Sequence, residues 1–239
     1  MSRAKRTVLL TGASSGIGEQ VVKRLLAEGD NVVGIARNFN KTSLAAHEQC
    51  QTISLDFSDL HQLEQSLKAL VKRHDEVTDV VCCAGQGRFG SLEEFSYEQI
   101  KELMHINFVS QAYVVRAFMP LLKRRGSGNV IFIGSEAALS GGRKGAIYCA
   151  SKFALRGFAQ SLREECATTG VRVGLVNPGM VSTPFFGELD FTHGEHPDNY
   201  IEPEDIADAI VWMLNSRQHM VVDELNLSPL KKVIVKKSN

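Results

Sequence analysis

The sequence predicts a doubly wound α/β domain built on a parallel sheet of about seven strands, with helices on both faces. Short apolar runs without polar alternation recur along the chain, which is typical of strands covered on both faces. Stretches with helical periodicity separate these runs, so strand and helix alternate. Neither an internal repeat nor a low-complexity linker interrupts the sequence, which favours one domain over residues 1–239.

The predicted elements follow from the apolar pattern. Strands are expected at 7–11, 31–36, 51–55, 78–83, 129–134, 171–177 and 220–225. Helices are expected at 16–28, 59–74, 96–125, 146–168 and 203–215. The helix at 96–125 is apolar nearly all round, so it must bury a second face, either against a second copy in a homodimer or homotetramer or in a thick single core. The irregular stretch 182–200 is long enough to be a lid, a binding loop or a disordered segment.

Composition and charge exclude several classes of protein. With 44% hydrophobic and 23% charged residues, the chain resembles an ordinary globular protein rather than a disordered one. Lys plus Arg equals Asp plus Glu at 27 each, so no general basic field attracts nucleic acid or an anionic membrane. The apolar run near the N-terminus is too short for a signal peptide or a membrane span. Five cysteines without a C-x-x-C pair favour a reducing, cytoplasmic setting.

The stretch TGASSGIG, residues 11–18, lies between the first predicted strand and the first predicted helix. Glycines at 12, 16 and 18 let the backbone approach a pyrophosphate closely, and the amides at the helix start favour its negative charge. This arrangement predicts the phosphate end of a Rossmann-type dinucleotide site. A turn that only packs helix against strand is the alternative.

The end of the second predicted strand indicates which dinucleotide binds. Proteins that use NAD place an acidic side chain there, whereas this chain has Ala36 and then Arg37. A guanidinium can hold a 2′-phosphate through charge-assisted hydrogen bonds. We therefore expect NADP(H) to be preferred over NAD(H), with Asn38 as a helper; a solvated surface charge at Arg37 is the alternative.

A chemical site is indicated by Tyr148 and Lys152, which share one face of a predicted helix at i and i+4. The pair alone is weak evidence, but Ser135 follows the predicted strand 129–134, where open α/β sheets bind ligands. Reduction of a carbonyl leaves an alkoxide that needs a proton. A tyrosine supplies that proton best if its pKa of about 10 falls, and a nearby ammonium favours that fall.

TGASSGIG, Ser135 and the Y-x-x-x-K pair together resemble the short-chain dehydrogenase/reductase superfamily, and the resemblance spans Thr7 to about Leu230. It implies that Asn107 joins Ser135, Tyr148 and Lys152 as a catalytic residue. In this assignment Ser135 polarises the carbonyl, Tyr148 exchanges the proton, Lys152 lowers the Tyr148 pKa and binds the nicotinamide ribose, and Asn107 holds a water. The C-terminal sequence resembles the branch of 3-hydroxy acid and serine dehydrogenases and sepiapterin-type reductases.

The same resemblance implies a set of cofactor contacts. These are Gly12, Ser14, Ser15, Gly16, Ile17, Gly18, Arg37, Asn38, Asp56, Phe57, Cys83, Ala84, Gly85, Tyr148, Lys152, Pro178, Gly179, Val181 and Thr183. Asp56 would bind the adenine amino group, although a turn or helix-cap role is nearly as well supported. Cys83 departs from the family, which has Asn there, and a thiol cannot replace an amide's hydrogen bonds.

The predicted function is NADP(H)-dependent interconversion of a small or medium carbonyl compound and its alcohol. The apolar walls of the substrate site are expected at Phe89, Leu139, Phe185 and Phe186, which could equally be core residues. Arg88 and Arg143 are expected either to pair with a substrate carboxylate or to lie on the surface. A non-catalytic NADPH-binding redox sensor is the alternative that Cys83 suggests. A nucleoside-sugar epimerase is disfavoured because the chain has no room for an added substrate domain.

Two further features near the C-terminus are expected to lack a function. The lysines at 231, 232, 236 and 237 read as a solvated tail because the net charge of the chain is zero. The stretch HGEH, residues 193–196, lacks a helix and further ligands to complete a metal site, so no metal is expected.

Overall fold

Each apolar run predicted as a strand contributes to one parallel sheet in the computed structural model, which describes residues 5–237. The strands are β1 (Thr7–Thr11), β2 (Asn31–Ala36), β3 (Cys50–Ser54), β4 (Asp79–Cys82), β5 (Gly128–Ile133), β6 (Val171–Pro178) and β8 (Glu224–Leu227). Their spatial order is β3-β2-β1-β4-β5-β6-β8. The order reverses between β1 and β4, which is where doubly wound sheets bind ligands.

Six helices cover the two faces of the sheet. They are α1 (Gly16–Ala27), α2 (Leu60–Arg73), α3 (Tyr97–Met104), α4 (Ser110–Arg125), α5 (Ala146–Cys166) and α6 (Pro203–Asn215). One apolar core lies beneath α2, α4 and α5 and includes Phe118 and Leu155. The other lies beneath α1 and α6 and includes Val21 and Ile210. The predicted doubly wound α/β fold of the Rossmann type is therefore confirmed.

The helix predicted at 96–125 is not continuous. A π-helical turn, His105–Val109, separates α3 from α4. The carbonyl of Ile106 accepts hydrogen bonds from Ser110 Oγ at 2.8 Å and from Gln111 Nε2 at 3.2 Å. Two polar side chains thus satisfy a carbonyl at the turn, and the extra residue directs Asn107 into the protein, where it is buried. The second-subunit contact expected for this segment stays a prediction.

The last strand of the sheet begins later than predicted, at Glu224 rather than at Met220. Pairing with β6 starts where Leu175 lies opposite Glu224. Arg172 occupies the carbonyls before that point, since its Nη1 donates to Arg217 O at 3.1 Å and to Met220 O at 3.2 Å. The apolar residues of 220–222 therefore line a turn before the strand.

The 182–200 loop and the C-terminal segment form a second, two-stranded sheet. Strand β7 (Phe191–His193) pairs antiparallel with β9 (Ile234–Lys236). The expectation of a free solvated tail is wrong, because its lysines are exposed but the segment folds back onto the loop. Lys231, Lys232 and Lys237 all bond to other parts of the chain through Nζ, and Lys236 pairs through its backbone in β9.

Candidate active site

The glycine turn after β1 has the backbone conformation that its sequence requires. Gly12 has φ of +71°, and a Cβ atom there would lie 2.8 Å from Ala84 N, so no other residue fits without displacing the β4 end. Gly16 also has positive φ, at +52°, and its α-carbon faces the Thr183 side chain. Ser15 is the N-cap of α1, yet within the described chain its side chain makes no capping bond. The first amides of α1 are therefore open toward the carboxyl edge of the sheet.

Arg37 and Asn38 lie exposed directly after β2, beside the glycine turn. The turn is anchored there because Ala13 N donates to Ile35 O at 3.1 Å. Within residues 5–237, Arg37 forms no salt bridge, so its guanidinium faces solvent at the edge where an extended dinucleotide would lie. The position agrees with the one that the sequence predicts for contact with a 2′-phosphate.

The predicted adenine contacts after β3 have clear structural roles. Asp56 Oδ1 accepts hydrogen bonds from Ser58 N and Ser58 Oγ, both at 2.9 Å, which makes it a turn carboxylate. Phe57 is buried in the core beneath α2, so its side chain packs instead of facing the site. Asp59 caps α2 by accepting from Gln62 N at 2.9 Å.

The end of β4 is fixed by Thr11 and Gln111, which the sequence did not single out. Thr11 Oγ1 accepts hydrogen bonds from Cys83 N and Ala84 N, both at 3.1 Å, and donates to Gln111 Oε1 at 3.2 Å. Gln111 Nε2 in turn donates to Ala84 O at 2.9 Å. These bonds hold the backbone at Cys83 and Ala84 without any contribution from the Cys83 side chain. Burial raises the pKa of the Cys83 thiol to about 12, so it stays neutral.

Asn107 links the π-helical turn to the β4 end and to α5. Its Oδ1 accepts from Gln86 N at 2.8 Å, and its Nδ2 donates to Gln86 O at 3.0 Å and to Ser151 Oγ at 3.1 Å. Ser151 Oγ donates to Tyr148 O at 2.7 Å. A Cβ atom at Gly85 would lie 3.4 Å from Asn107 Oδ1 and 3.7 Å from Lys152 Nζ, so this glycine lies where the two side chains converge.

Ser135 follows β5 as predicted and is held on both sides of its Cα. Its Oγ accepts from Ala137 N at 3.1 Å, and its backbone N donates to Asn177 Oδ1 at 3.2 Å. Asn177, at the end of β6, donates through Nδ2 to Glu224 Oε1 at 2.7 Å. Arg156, two turns after Tyr148 on α5, pairs with Glu224 at 3.1 Å. No local sequence pattern predicts this chain of contacts, because its members are distant in sequence.

Tyr148 and Lys152 lie on one face of α5 and are both buried. The Ser135 side chain is close enough to the Tyr148 hydroxyl to lower its pKa, yet burial dominates and raises the pKa of Tyr148 to about 12. Lys152 Nζ lies 5.9 Å from the Tyr148 ring centroid and donates to Ile133 O at 3.0 Å. Burial lowers the pKa of Lys152 to about 8. In the chain by itself burial outweighs the opposing effect of Ser135, and the expectation that Lys152 lowers the Tyr148 pKa stays a prediction.

The segment after β6 crosses the site between the glycine turn and the C-terminal strand of the sheet. Gly179 N donates to Leu227 O at 2.7 Å, and Val181 pairs with Ile201 in an isolated bridge. Thr183 reaches the glycine turn, since a Cβ atom on Gly16 would lie 3.2 Å from its side chain. The structure thus brings together most of the predicted contacts, which occupy the carboxyl ends of β1, β2, β4, β5 and β6.

Two aromatic rings pack against Tyr148, and both belong to residues predicted to form the walls of the substrate site. The ring centroids of Phe89 and Phe185 lie 4.9 Å and 6.0 Å from that of Tyr148. Phe186 packs on Phe185 at 5.2 Å. Leu139 is 38% exposed and Arg143 is exposed.

The two histidines of HGEH have structural roles. The His193 ring packs on Tyr200 at 4.5 Å. His196 Nδ1 accepts from Asp198 N at 3.2 Å.

Sheet order, glycine turn and site position define a doubly wound nucleotide-binding fold of the Rossmann class. The chain belongs to the short-chain dehydrogenase family of oxidoreductases, whose sequence profile matches residues 6–193. The family resemblance stated from the motifs is thereby confirmed.

Three known proteins illustrate this relationship. An uncharacterized oxidoreductase of Staphylococcus epidermidis is 32% identical over 96% of this chain and all of its own length. A sepiapterin reductase of Chlorobaculum tepidum is 31% identical, covering 94% of this chain and 96% of its own. The solved structure of an alcohol dehydrogenase from the archaeon Thermococcus sibiricus, complexed with 5-hydroxy-NADP, superposes with a TM-score of 0.85 at 29% identity. That match covers 95% of this chain and 98% of the archaeal chain.

None of the helices within residues 5–237 combines the length and apolar character needed to cross a bilayer.

Proposed function

We infer that this protein is an NADP(H)-dependent oxidoreductase that interconverts a small or medium carbonyl compound and its alcohol, with Tyr148 as the proton donor and acceptor. The observation that carries the proposal is the convergence of Tyr148, Ser135, Lys152 and Asn107 at the ends of β4 and β5. Ser135 is close enough to Tyr148 to lower its pKa, and Gly85 lies where Asn107 and Lys152 approach each other. A protein that only bound a dinucleotide would not need this arrangement.

The residues present fit an NADP(H) molecule. The open amides at the start of α1 and the two glycines with positive φ suit a pyrophosphate. Arg37 and Asn38 would hold the 2′-phosphate, and Thr183 and the Pro178–Gly179 turn would lie along the nicotinamide. When bound in its reduced form, the cofactor supplies a hydride to the carbonyl carbon. Two structurally similar proteins, an alcohol dehydrogenase and a metagenomic short-chain oxidoreductase, were solved in complex with 5-hydroxy-NADP and with NADP, which supports this choice.

The proton is supplied by Tyr148. Because the pKa of Tyr148 is raised to about 12, the side chain is a phenol at neutral pH and can donate to the oxygen on which negative charge develops. Ser135 Oγ, held by the Ala137 and Asn177 contacts, is a second donor toward the same oxygen. One carbonyl, one NADPH and one proton thus give one alcohol and one NADP⁺.

The phenolate left on Tyr148 must recover its proton from solvent. Lys152, whose pKa is lowered to about 8, can release and regain a proton near neutral pH. Asn107 positions the backbone around Gln86 beside it and is the residue at which a relay to solvent would begin. These residues also separate the enzyme from the redox-sensor alternative, which requires the phosphate end and not a relay.

The test is consumption of NADPH and of NADH with a panel of aldehydes, ketones and diketones, for the wild type and for Arg37→Asp. We expect the wild type to prefer NADPH by at least about tenfold in kcat/KM, because one charge-assisted pair contributes on the order of 1.4 kcal/mol or more. Arg37→Asp should abolish that preference by repelling the 2′-phosphate. Equal use of both cofactors by the wild type would refute the cofactor assignment. Tight NADPH binding with no turnover in either direction would favour the sensor.

A further inference from the structure

The ring of Tyr148 lies within a group of phenylalanines, defined here as the aromatic wall: Phe89, Phe185, Phe186 and Phe191. Phe191 packs edge-on against Phe89 at 5.0 Å and against Phe186 at 6.0 Å. Phe89 and Phe185 contact Tyr148 directly. Three of the four rings belong to the 182–200 loop. The wall therefore presents apolar, aromatic surface beside the hydroxyl that would donate the proton.

One carboxylate near Tyr148, that of Glu136, disfavours an anionic substrate. Glu136 follows Ser135 and is close enough to raise the pKa of Tyr148. Its carboxylate pairs with Lys232 Nζ at 2.7 Å, so this lysine is already engaged. A substrate carboxylate placed against the wall would lose water without gaining a free cation from this pair.

The loop that carries the wall is paired along its length with the C-terminal segment, defined as residues 228–237. Strand β9 pairs with β7 so that Phe191 lies opposite Lys236 and His193 opposite Ile234. Beyond the ribbon, Gly194 N donates to Val233 O at 3.1 Å, and Lys237 N donates to Asp190 O at 2.8 Å. The family profile ends at residue 193, before this segment begins.

Side chains add contacts on both sides of the ribbon. Lys237 Nζ donates to the carbonyls of Phe186 and Gly187, the latter at 3.0 Å. At the other end, Lys231 Nζ pairs with Asp198 at 2.8 Å, and Asn199 Nδ2 donates to Lys231 O at 3.2 Å. The backbone next to Phe186 is thus held by a lysine about fifty residues later in the sequence.

We propose that the C-terminal segment is part of the substrate site: it holds the aromatic wall against Tyr148, and the wall selects neutral carbonyl compounds with an apolar ring over small or carboxylate-bearing ones. This inference rests on the proposed oxidoreductase function and adds the substrate class. Lys237 is the main positioning residue, because its Nζ contacts backbone on the same turn as Phe186. A ring stacked on the wall gains apolar burial that a methyl group lacks.

The experiment uses three related substrates, phenylpropanedione, diacetyl and benzoylformate, with NADPH. Diacetyl replaces the phenyl group with methyl, and benzoylformate replaces the acetyl group with a carboxylate. We expect wild-type kcat/KM for phenylpropanedione to exceed both others by about tenfold or more. Lys237→Met and Phe191→Ala should each remove most of that advantage by raising KM for phenylpropanedione more than KM for diacetyl.

Matched variants and a second measurement make the result specific. Lys237→Arg retains donors for the two carbonyls and should keep the wild-type preference. Lys72→Met makes the same substitution at an exposed site on α2 and should also keep it. Hydrogen exchange of the β7 amides, measured without substrate, should be faster in Lys237→Met than in either control.

Three outcomes would overturn the inference. Unchanged substrate preference in Lys237→Met, whether or not β7 exchange is faster, would reject the role of the segment while leaving the oxidoreductase function intact. A wild-type preference for benzoylformate or diacetyl would reject the substrate class. If the wild type reduces none of these compounds nor any other carbonyl, the proposed function itself fails, and the inference fails with it.

Discussion

At the scale of single residues, the site depends on hydrogen bonds that hold polar groups which the sequence motifs identify only in part. Ser135 is a motif residue, but its backbone is fixed by Asn177, which in turn depends on Glu224 and Arg156. The position of the side chain that would meet the substrate therefore depends on residues from three other elements, β6, β8 and α5. An error of about 1 Å in such a position can reduce a rate by about 100-fold.

Asn177→Leu should lower kcat by about 10- to 100-fold with little change in the dissociation constant of NADPH, because it removes the acceptor for Ser135 N and the donor to Glu224. Asn177→Asp should also lose activity, since it sets a carboxylate against Glu224. Adding Glu224→Gln to Asn177→Asp restores a donor and should recover most of kcat. Steady-state kinetics and NADPH titration measure these effects. A double variant no better than Asn177→Asp would contradict the positioning role.

The raised pKa of Tyr148 predicts different pH profiles for the two reaction directions. Reduction uses the phenol, which is fully populated below the raised pKa, so its kcat should stay level from about pH 6 to about pH 7.5. Oxidation of an alcohol uses the phenolate, whose population rises about tenfold per pH unit below the pKa, so its kcat should rise over the same range. Initial rates in both directions measure the two profiles. A reduction rate that rises with pH in parallel with oxidation would contradict this assignment.

At the scale of elements, the junction between β1 and β4 shows why regular strands were predicted well and their ends less well. Because β1, β2 and β6 are buried on both faces, each is a short run of apolar residues that can be recognised from its own sequence. The ends depend instead on distant partners, such as Arg172 before β8 and Thr11 beside Cys83. The π-helical turn at Asn107 was likewise missed, because the segment is apolar nearly all round and its pattern does not show a shift of one residue.

Thr11→Val tests this junction with almost no change of shape. It removes the acceptor of two partly buried amides, so we expect the free energy of unfolding to fall by about 2–4 kcal/mol. Thr11→Ser keeps the hydroxyl and loses a methyl group, so the decrease should be about 1 kcal/mol. Urea unfolding of the two variants and the wild type provides the comparison. Equal stability of the Val variant and the wild type would show that Thr11 does not support the β4 end.

At the scale of the whole molecule, the sequence was sufficient to predict the fold and to select candidate catalytic residues that the structure brings together, and it was insufficient for the C-terminal segment. Short local motifs are enough to identify the glycine turn, Ser135, Tyr148 and Lys152. Each strand of the β7–β9 ribbon has only three residues, and about forty residues separate the two strands. The ribbon therefore cannot be predicted from hydrophobic periodicity. Lysines that read as a solvated tail instead hold the loop that faces Tyr148.

The central claim is that Tyr148 donates the proton in an NADPH-dependent reduction. The most direct measurement is single-turnover NADPH oxidation by Tyr148→Phe, alongside a fluorescence titration of NADPH binding to the same variant. We expect the dissociation constant of NADPH for the variant to lie within about threefold of the wild-type value. Its single-turnover rate should fall by at least about 1,000-fold, since general acid catalysis contributes factors of this order. A variant that retains the wild-type rate would contradict the central claim.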